Sequence, residues 1–195
     1  MTYRPRLICL AGSARRDSLN KRLAKAATEA AQRHDADVSF IDLADFSMPL
    51  YDGDLEADGG LPDAAKRLKA LFRESDGFLI AAPEYNSSLT PLLKNALDWI
   101  SRSETPDEPR LVAFRGKVAA LCAASAGATG GRRGLVVLRM MLGNIGVHVL
   151  PDQVTLPQAG KAFDGEDRLV DESTAQSLEA LTAEWVRVSR ALASE

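Results

Sequence analysis

Short apolar runs alternate with longer amphipathic stretches along the whole of this chain, and that alternation admits few folds. The runs Leu7 to Ala11, Val38 to Leu43, Gly77 to Ala82, Lys117 to Ala124 and Val147 to Val154 are of strand length. Near-continuous apolar character marks strands covered on both faces. Between them, the spacing predicts helices over Ser18 to Arg33, Pro62 to Glu74, Leu89 to Ile100, Leu135 to Leu142 and Glu172 to Leu192. In the first, Leu19, Leu23, Ala26, Ala27 and Ala30 recur at three- and four-residue steps, while Lys21, Lys25, Glu29 and Gln32 take the other face. Strands alternating with helices predict an α/β three-layer sandwich with a five-stranded parallel sheet. A length of 195 residues predicts a single domain over 1–195. Met48 to Asp54, marked by Pro49 and Asp52-Gly53, reads as a loop, as does Ser103 to Arg115 with its two prolines.

Composition narrows the chemistry. With 46% hydrophobic and 26% charged residues, the chain is too apolar for disorder and has neither collagen-like nor coiled-coil repeats. It holds two cysteines and two histidines, and neither Cys9 nor Cys122 has a neighbour at metal-ligand spacing. A zinc site, a redox pair or a histidine-based triad would lack partners, so any enzyme here is expected to rely on a bound cofactor, with no metal. A net charge of -3 with mixed signs offers no basic stripe for nucleic acid. The polar start, Met1 to Arg6, is too short for a signal peptide, and no apolar run approaches the roughly 20 residues that cross a bilayer. A cytoplasmic protein with reduced thiols is the expectation.

In open α/β sheets, ligands bind beyond the carboxyl ends of the strands, where the strand order reverses. Three turns there have unusual composition. Gly12 to Asn20 leads from a buried strand into a helix and supplies Ser13, Arg15, Ser18 and Asn20 as donors, a candidate phosphate cradle. It is neither a P-loop nor a dinucleotide fingerprint, and the plainer reading is a helix cap at Asp17 or Ser18 with solvated arginines. Ala82 to Ser88 places Pro83, Glu84, Tyr85 and Asn86 at a strand end, suited to the edge of a planar ligand, although Pro and Asn are ordinary turn formers. Ala124 to Gly131 carries three glycines that let backbone approach a ligand, or that simply ease the way into the next helix.

Gly12-Ser13-x-Arg15-x-x-Ser18-x-Asn20, then Pro83-Glu84-Tyr85-Asn86, then Leu93 to Trp99 and the Ser/Gly loop together resemble the NADPH-dependent FMN reductase family, flavodoxin-like enzymes that include quinone, azo-dye and chromate reductases. The resemblance covers nearly the whole chain. It implies FMN as cofactor and NADPH or NADH as co-substrate. Ser13, Arg15, Ser18, Leu19 and Asn20 would hold the FMN phosphate end, with Pro83, Glu84, Tyr85, Asn86 and Ser87 at the isoalloxazine and Ser125 and Gly127 on its pyrimidine side. It also implies a small-molecule electron acceptor, a ping-pong sequence without an obligatory catalytic side chain, and a homodimer or homotetramer. The chain departs from the family's usual Pro-Gly after the Tyr-Asn motif, having Thr90-Pro91, and has a small residue at Ser88. The rival reading is a flavodoxin-type electron carrier, against which stand the near-neutral charge and the arginines in the first turn. A phosphoester hydrolase lacks the cysteine or carboxylate cluster it would need, and a serine hydrolase lacks the G-x-S-x-G elbow.

Other features have structural readings. Lys94 and Asp98 form an i,i+4 pair, Asn95 is expected to tie down the Glu84 loop, and Asp52 and Asp54 are turn residues. Arg102 is assigned to a subunit interface or a nucleotide phosphate. Arg139 interrupts an apolar helix and needs a partner, and by the resemblance Met140, Met141 and Leu142 would face a second subunit.

Overall fold

The computed structural model describes residues 3–193; Met1 and Thr2 of the polar start lie outside the described residues. The strands are β1 (Arg6–Ala11), β2 (Asp37–Asp42), β3 (Gly77–Ala81), β4 (Val118–Ala124) and β5 (His148–Leu156). The helices are α1 (Leu19–Gln32), α2 (Gly53–Gly59), α3 (Asp63–Glu74), α4 (Pro91–Ile100), α5 (Arg132–Asn144) and α6 (Glu172–Ala193). The sheet has the order β2-β1-β3-β4-β5 with every pairing parallel. This is the flavodoxin-like order, whose switch point lies between β1 and β3.

Side-chain alternation divides the core into two layers. Leu7, Cys9 and Ala11 of β1, with Leu79 of β3 and Cys122 of β4, pack under α1 and α6. Ile8, Leu10, Phe78, Ile80 and Leu121 pack under α3, α4 and α5. Alanines 24, 27 and 31 bring α1 close to the sheet. Burial pushes the Cys9 thiol up to about 12, and raises that of Cys122 well above the usual range.

The structure adds a helix where a loop was expected. Asp52 caps α2, its Oδ1 accepting from the Asp54 N–H at 2.8 Å, so the Asp-Gly pair starts a helix instead of closing a turn. Asn95 does not reach the Glu84 loop. Its Oδ1 accepts from the Tyr51 N–H at 2.7 Å and its Nδ2 donates to the Pro49 carbonyl at 2.9 Å. Trp99, fully buried, donates to the same carbonyl at 2.8 Å, so α4 carries the 49–51 segment on its flank.

Helix α5 begins three residues earlier than its apolar pattern shows, and Leu142 is core, not surface. Arg139 finds its partners within the chain, donating to the Leu150 and Pro151 carbonyls at 2.5 and 3.2 Å. Those carbonyls belong to the stretch where β5 bulges: Ala119 pairs with Val149 but Leu121 pairs with Gln153. A proline within an edge strand is accommodated at such a bulge.

Lys69 is the polar residue that periodicity does not explain. It lies on the core-facing side of α3 at 1% exposure, and its ammonium donates to the Arg102 carbonyl at 2.6 Å and pairs with Glu108. That pair anchors the Ser103 to Arg115 segment, whose Phe114 is buried against Phe72 and Phe78 with ring centroids 5.9 and 6.2 Å away.

Candidate active site

The turns after β1, β3 and β4 meet at the carboxyl edge of the sheet around a cavity of about 160 Å³. Ser13, Arg15, Ser18, Leu19, Asn20, Pro83, Glu84, Tyr85 and Ser125 line it, together with Ala124 and Ala126, which the sequence did not single out. Asn86, Ser87 and Gly127 stand outside its wall.

Each turn is held for a local reason. The Gly12 N–H donates to the Ala81 carbonyl at 2.9 Å, and a Cβ there would meet Leu93 at 3.0 Å and Pro83 at 3.2 Å. Glycine lets α4 and the second turn close on the first without either having to give way. Ser18 caps α1, its Oγ accepting from the Lys21 N–H at 3.4 Å, so the plainer reading of Ser18 is true of its geometry while its hydroxyl still lines the cavity. The first turn of α1 carries no acidic side chain, and the Arg15 guanidinium has no hydrogen bond or ion pair among the described residues. Open helix N–H groups, buried Ser13 and Ser18 hydroxyls and a solvent-side guanidinium are a donor set for an anion such as the phosphate of FMN.

Asn20 has a second task. Its Nδ2 donates to the Ala124 carbonyl at 2.8 Å and its Oδ1 accepts from the Ala124 N–H at 2.9 Å. The side chain thereby joins the end of β4 to α1, with one amide hydrogen left for a ligand.

The second turn is a tight hairpin. Tyr85 and Ser88 exchange backbone hydrogen bonds of 3.0 Å, and Asn86 and Ser87 between them have φ of 51° and 64°. Two left-handed central residues are the signature of a type I′ turn. It lifts Tyr85 to half exposure beside the cavity. The Glu84 carboxylate is engaged by α5, accepting from the Gly134 N–H at 3.0 Å. In the third turn, Gly130 and Gly131 serve the protein itself. A Cβ on Gly130 would lie 2.8 Å from Pro157 N, and one on Gly131 2.7 Å from Ala123 Cβ at a φ of +88°. Gly127 is the glycine with space, its N–H donating to Ser125 Oγ at 3.1 Å. Gly131→Ala is expected to cost about 3 kcal/mol from crowding and left-handed strain together, lowering Tm by about 10 °C in a calorimetric scan.

A sequence profile of the NADPH-dependent FMN reductases matches residues 5–161. The chain belongs to the NADPH-dependent FMN reductase family. An NAD(P)H-dependent FMN reductase of Pseudomonas aeruginosa is 42% identical over 153 residues, 75% of this chain and 78% of that protein. The quinone reductase of Escherichia coli K12 is 34% identical over 142 residues, 73% and 71% of the two chains. Among solved structures, the flavoenzyme NAD(P)H:(acceptor) oxidoreductase FerB of Paracoccus denitrificans superimposes with a TM-score of 0.78 at 28% identity, covering 95% of this chain and 97% of that one.

Family membership gives the departure at Thr90-Pro91 a physical meaning. Thr90 caps α4, accepting from the Leu93 N–H at 3.2 Å, with Pro91 in the first turn where a missing N–H costs nothing. The same hydroxyl donates to the Gly12 carbonyl at 2.7 Å. The residue that starts α4 therefore also pins the first turn of the candidate site, a role that no spacing rule reveals.

Proposed function

We propose that this chain is an FMN-dependent NAD(P)H oxidoreductase whose residues 1–195 act as one flavin-holding domain. The observation that supports it best is the convergence of the Ser13 to Ser18 cradle, the Pro83 to Tyr85 edge and Ser125 on one cavity at the β1/β3 switch point. FMN, when bound, supplies the hydride chemistry of the family. The chain's own residues bind and orient. Ser13, Arg15 and Ser18 would neutralise the phosphate, Leu19 and Asn20 would flank it, and the backbone of Pro83 to Ser87 with Ser125 and Gly127 would edge the ring. Half-exposed Tyr85 leaves room for a nicotinamide on the solvent side.

NAD(P)H and an acceptor would take turns in that space, a ping-pong sequence with quinones first among acceptors and azo compounds, metal ions or free flavin compatible with the same opening. No side chain is needed as proton shuttle. Purified protein is expected to be yellow and to bleach within seconds on anaerobic mixing with NADPH or NADH. Holding FMN without reacting with either nucleotide would favour the electron-carrier reading, and a colourless protein that cannot be reconstituted would sink both.

A second copy of the chain would complete the assembly. Beside the site, a groove of about 350 Å³ between α4 and α5 is walled by Leu89, Pro91, Val137, Met140 and Met141, and Val136 and Met140 are about two-thirds exposed. Such an apolar strip marks an interaction surface, and we assign it to a homodimer or homotetramer in the cytoplasm. Light scattering behind size exclusion should give at least twice the 21.0 kDa chain mass; a monomer at micromolar concentration would refute the assignment.

A further inference from the structure

We infer that the cavity at the far end of α4, between Glu56 of α2 and the Ser103 to Arg115 segment, is a second anion site that takes a phosphate monoester. It measures about 390 Å³, against about 160 Å³ for the flavin cavity, and is lined by Glu56, Ser101, Arg102, Ser103, Arg110 and Leu111.

Arg102 is held in place from three sides before any ligand arrives. Its Nε lies 2.9 Å from both Glu56 carboxylate oxygens, and its guanidinium sits over the Tyr51 ring at 5.8 Å. Tyr51 in turn donates its hydroxyl to Glu56 at 2.8 Å and packs edge-on against buried Trp99. The Arg102 backbone carbonyl is fixed by the buried Lys69 ammonium at 2.6 Å. These contacts use only the Nε–H of the five guanidinium donors, so the two terminal NH₂ groups have no partner among the described residues.

Arg110 faces the same cavity, and its guanidinium likewise has no hydrogen bond or ion pair among the described residues. Ser103 adds a hydroxyl. Leu111 on the wall adopts φ +59°, a conformation that costs a bulky residue energy, and its carbonyl is held there by the Phe114 and Arg115 N–H groups at 2.8 and 2.9 Å. Two arginines against one carboxylate leave the lining net positive. Its donors belong to two guanidinium forks and a hydroxyl, which match the three terminal oxygens of a phosphate monoester. Arg102, already held by Glu56 and Tyr51, adds little to the ordering cost of binding.

The phosphate has two possible sources: the 2′-phosphate of NADPH, whose adenosine end would have to span the ten residues of α4, about 15 Å, or a free phosphate ester. Titration calorimetry of FMN-saturated protein with inorganic phosphate and with adenosine 2′,5′-bisphosphate tests the site, with Arg110→Gln and Arg102→Gln as variants. Arg110 is exposed and carries no internal contact, so its variant folds. Saturable binding that weakens at least tenfold in Arg110→Gln supports the proposal. If KM for NADPH then rises while KM for NADH does not, the source is the cofactor; if neither KM moves, it is a free ester. Absence of saturable binding to the wild type, or binding unchanged in Arg110→Gln, overturns it. The calorimetric result does not depend on NAD(P)H oxidation, so its failure is distinguishable from failure of the reductase reading.

Discussion

Lys69→Met is expected to lower the free energy of unfolding by about 3 kcal/mol, the low end of the usual cost of breaking a buried ion pair. Lys69 is 1% exposed and the Glu108 side chain 8%. The variant takes the buried cation from the Glu108 carboxylate, leaving it the Glu104 N–H at 2.8 Å and the half-exposed Arg73 guanidinium at 3.6 Å, and removes the donor to the Arg102 carbonyl at once. Replacing both members, Lys69→Met with Glu108→Leu, should recover most of the loss, because apolar side chains of similar volume often match a buried pair. Urea denaturation reads this as a lower midpoint with unchanged slope for the single variant. A wild-type midpoint in the single variant would show the pair to be without consequence.

Acid offers a second check on the same pair. Burial disfavours the charged form of Glu108, but the Lys69 ammonium and the Glu104 N–H outweigh it and hold the carboxyl below its ordinary 4.5. A depressed carboxyl stabilises the fold above its ordinary value, and that stability drains away as the pH falls below it. The wild type should therefore lose stability below about pH 4.5, and the gap between it and Lys69→Met should narrow there. A gap that stays constant into acid would mean that Glu108 is not the partner that matters.

Arg15→Ala should weaken FMN binding about 10- to 100-fold, since a charge-assisted contact to phosphate contributes about 1.5–3 kcal/mol. Unfolding of the flavin-free protein should not change, because Arg15 is exposed and its guanidinium bonds to nothing among the described residues. Ser18→Ala differs in kind. It removes a helix cap as well as a ligand donor, so it should lower both FMN affinity and intrinsic stability, the latter by about 1 kcal/mol. Fluorescence titration of FMN into the two flavin-free variants, beside their thermal scans, separates the two roles. Unchanged affinity in Arg15→Ala would remove the phosphate assignment.

The three central strands were readable because β1, β3 and β4 are buried on both faces and leave nearly unbroken apolar runs, as in Gly77–Ala81, whereas the edge strands β2 and β5 mix buried and exposed positions. Where the sequence misled, a side chain had a partner far away in the chain. Asn95 looked near the Glu84 loop by position along a helix, but its amide matches the backbone of Pro49 and Tyr51 across 44 to 46 residues. The Asp52-Gly53 pair reads equally as a turn or as a cap; in the structure Asp52 caps α2, and Tyr51 just before it packs edge-on against Trp99. In the site, residue types were legible and their division of labour was not. Glu84 serves α5, Asn20 serves β4, and Gly130 and Gly131 make room for Pro157 and Ala123. These are contacts between elements, and periodicity carries no record of them. Lys69 escaped notice for a related reason, since a lysine on an amphipathic helix is ordinarily solvated.

The two cysteines of the core bear on the proposed use of quinones as electron acceptors. Quinones are electrophiles that add to thiolates, so a catalyst turning them over risks alkylating itself. Cys9 and Cys122 lie within the sheet at 0% exposure, with the Cys9 thiol pushed to about 12 and that of Cys122 raised well above its usual range. Neither presents a thiolate to solvent, and they are the only cysteines in the chain. Neither thiol of the folded protein is therefore placed for arylation by a quinone acceptor of the proposed reaction.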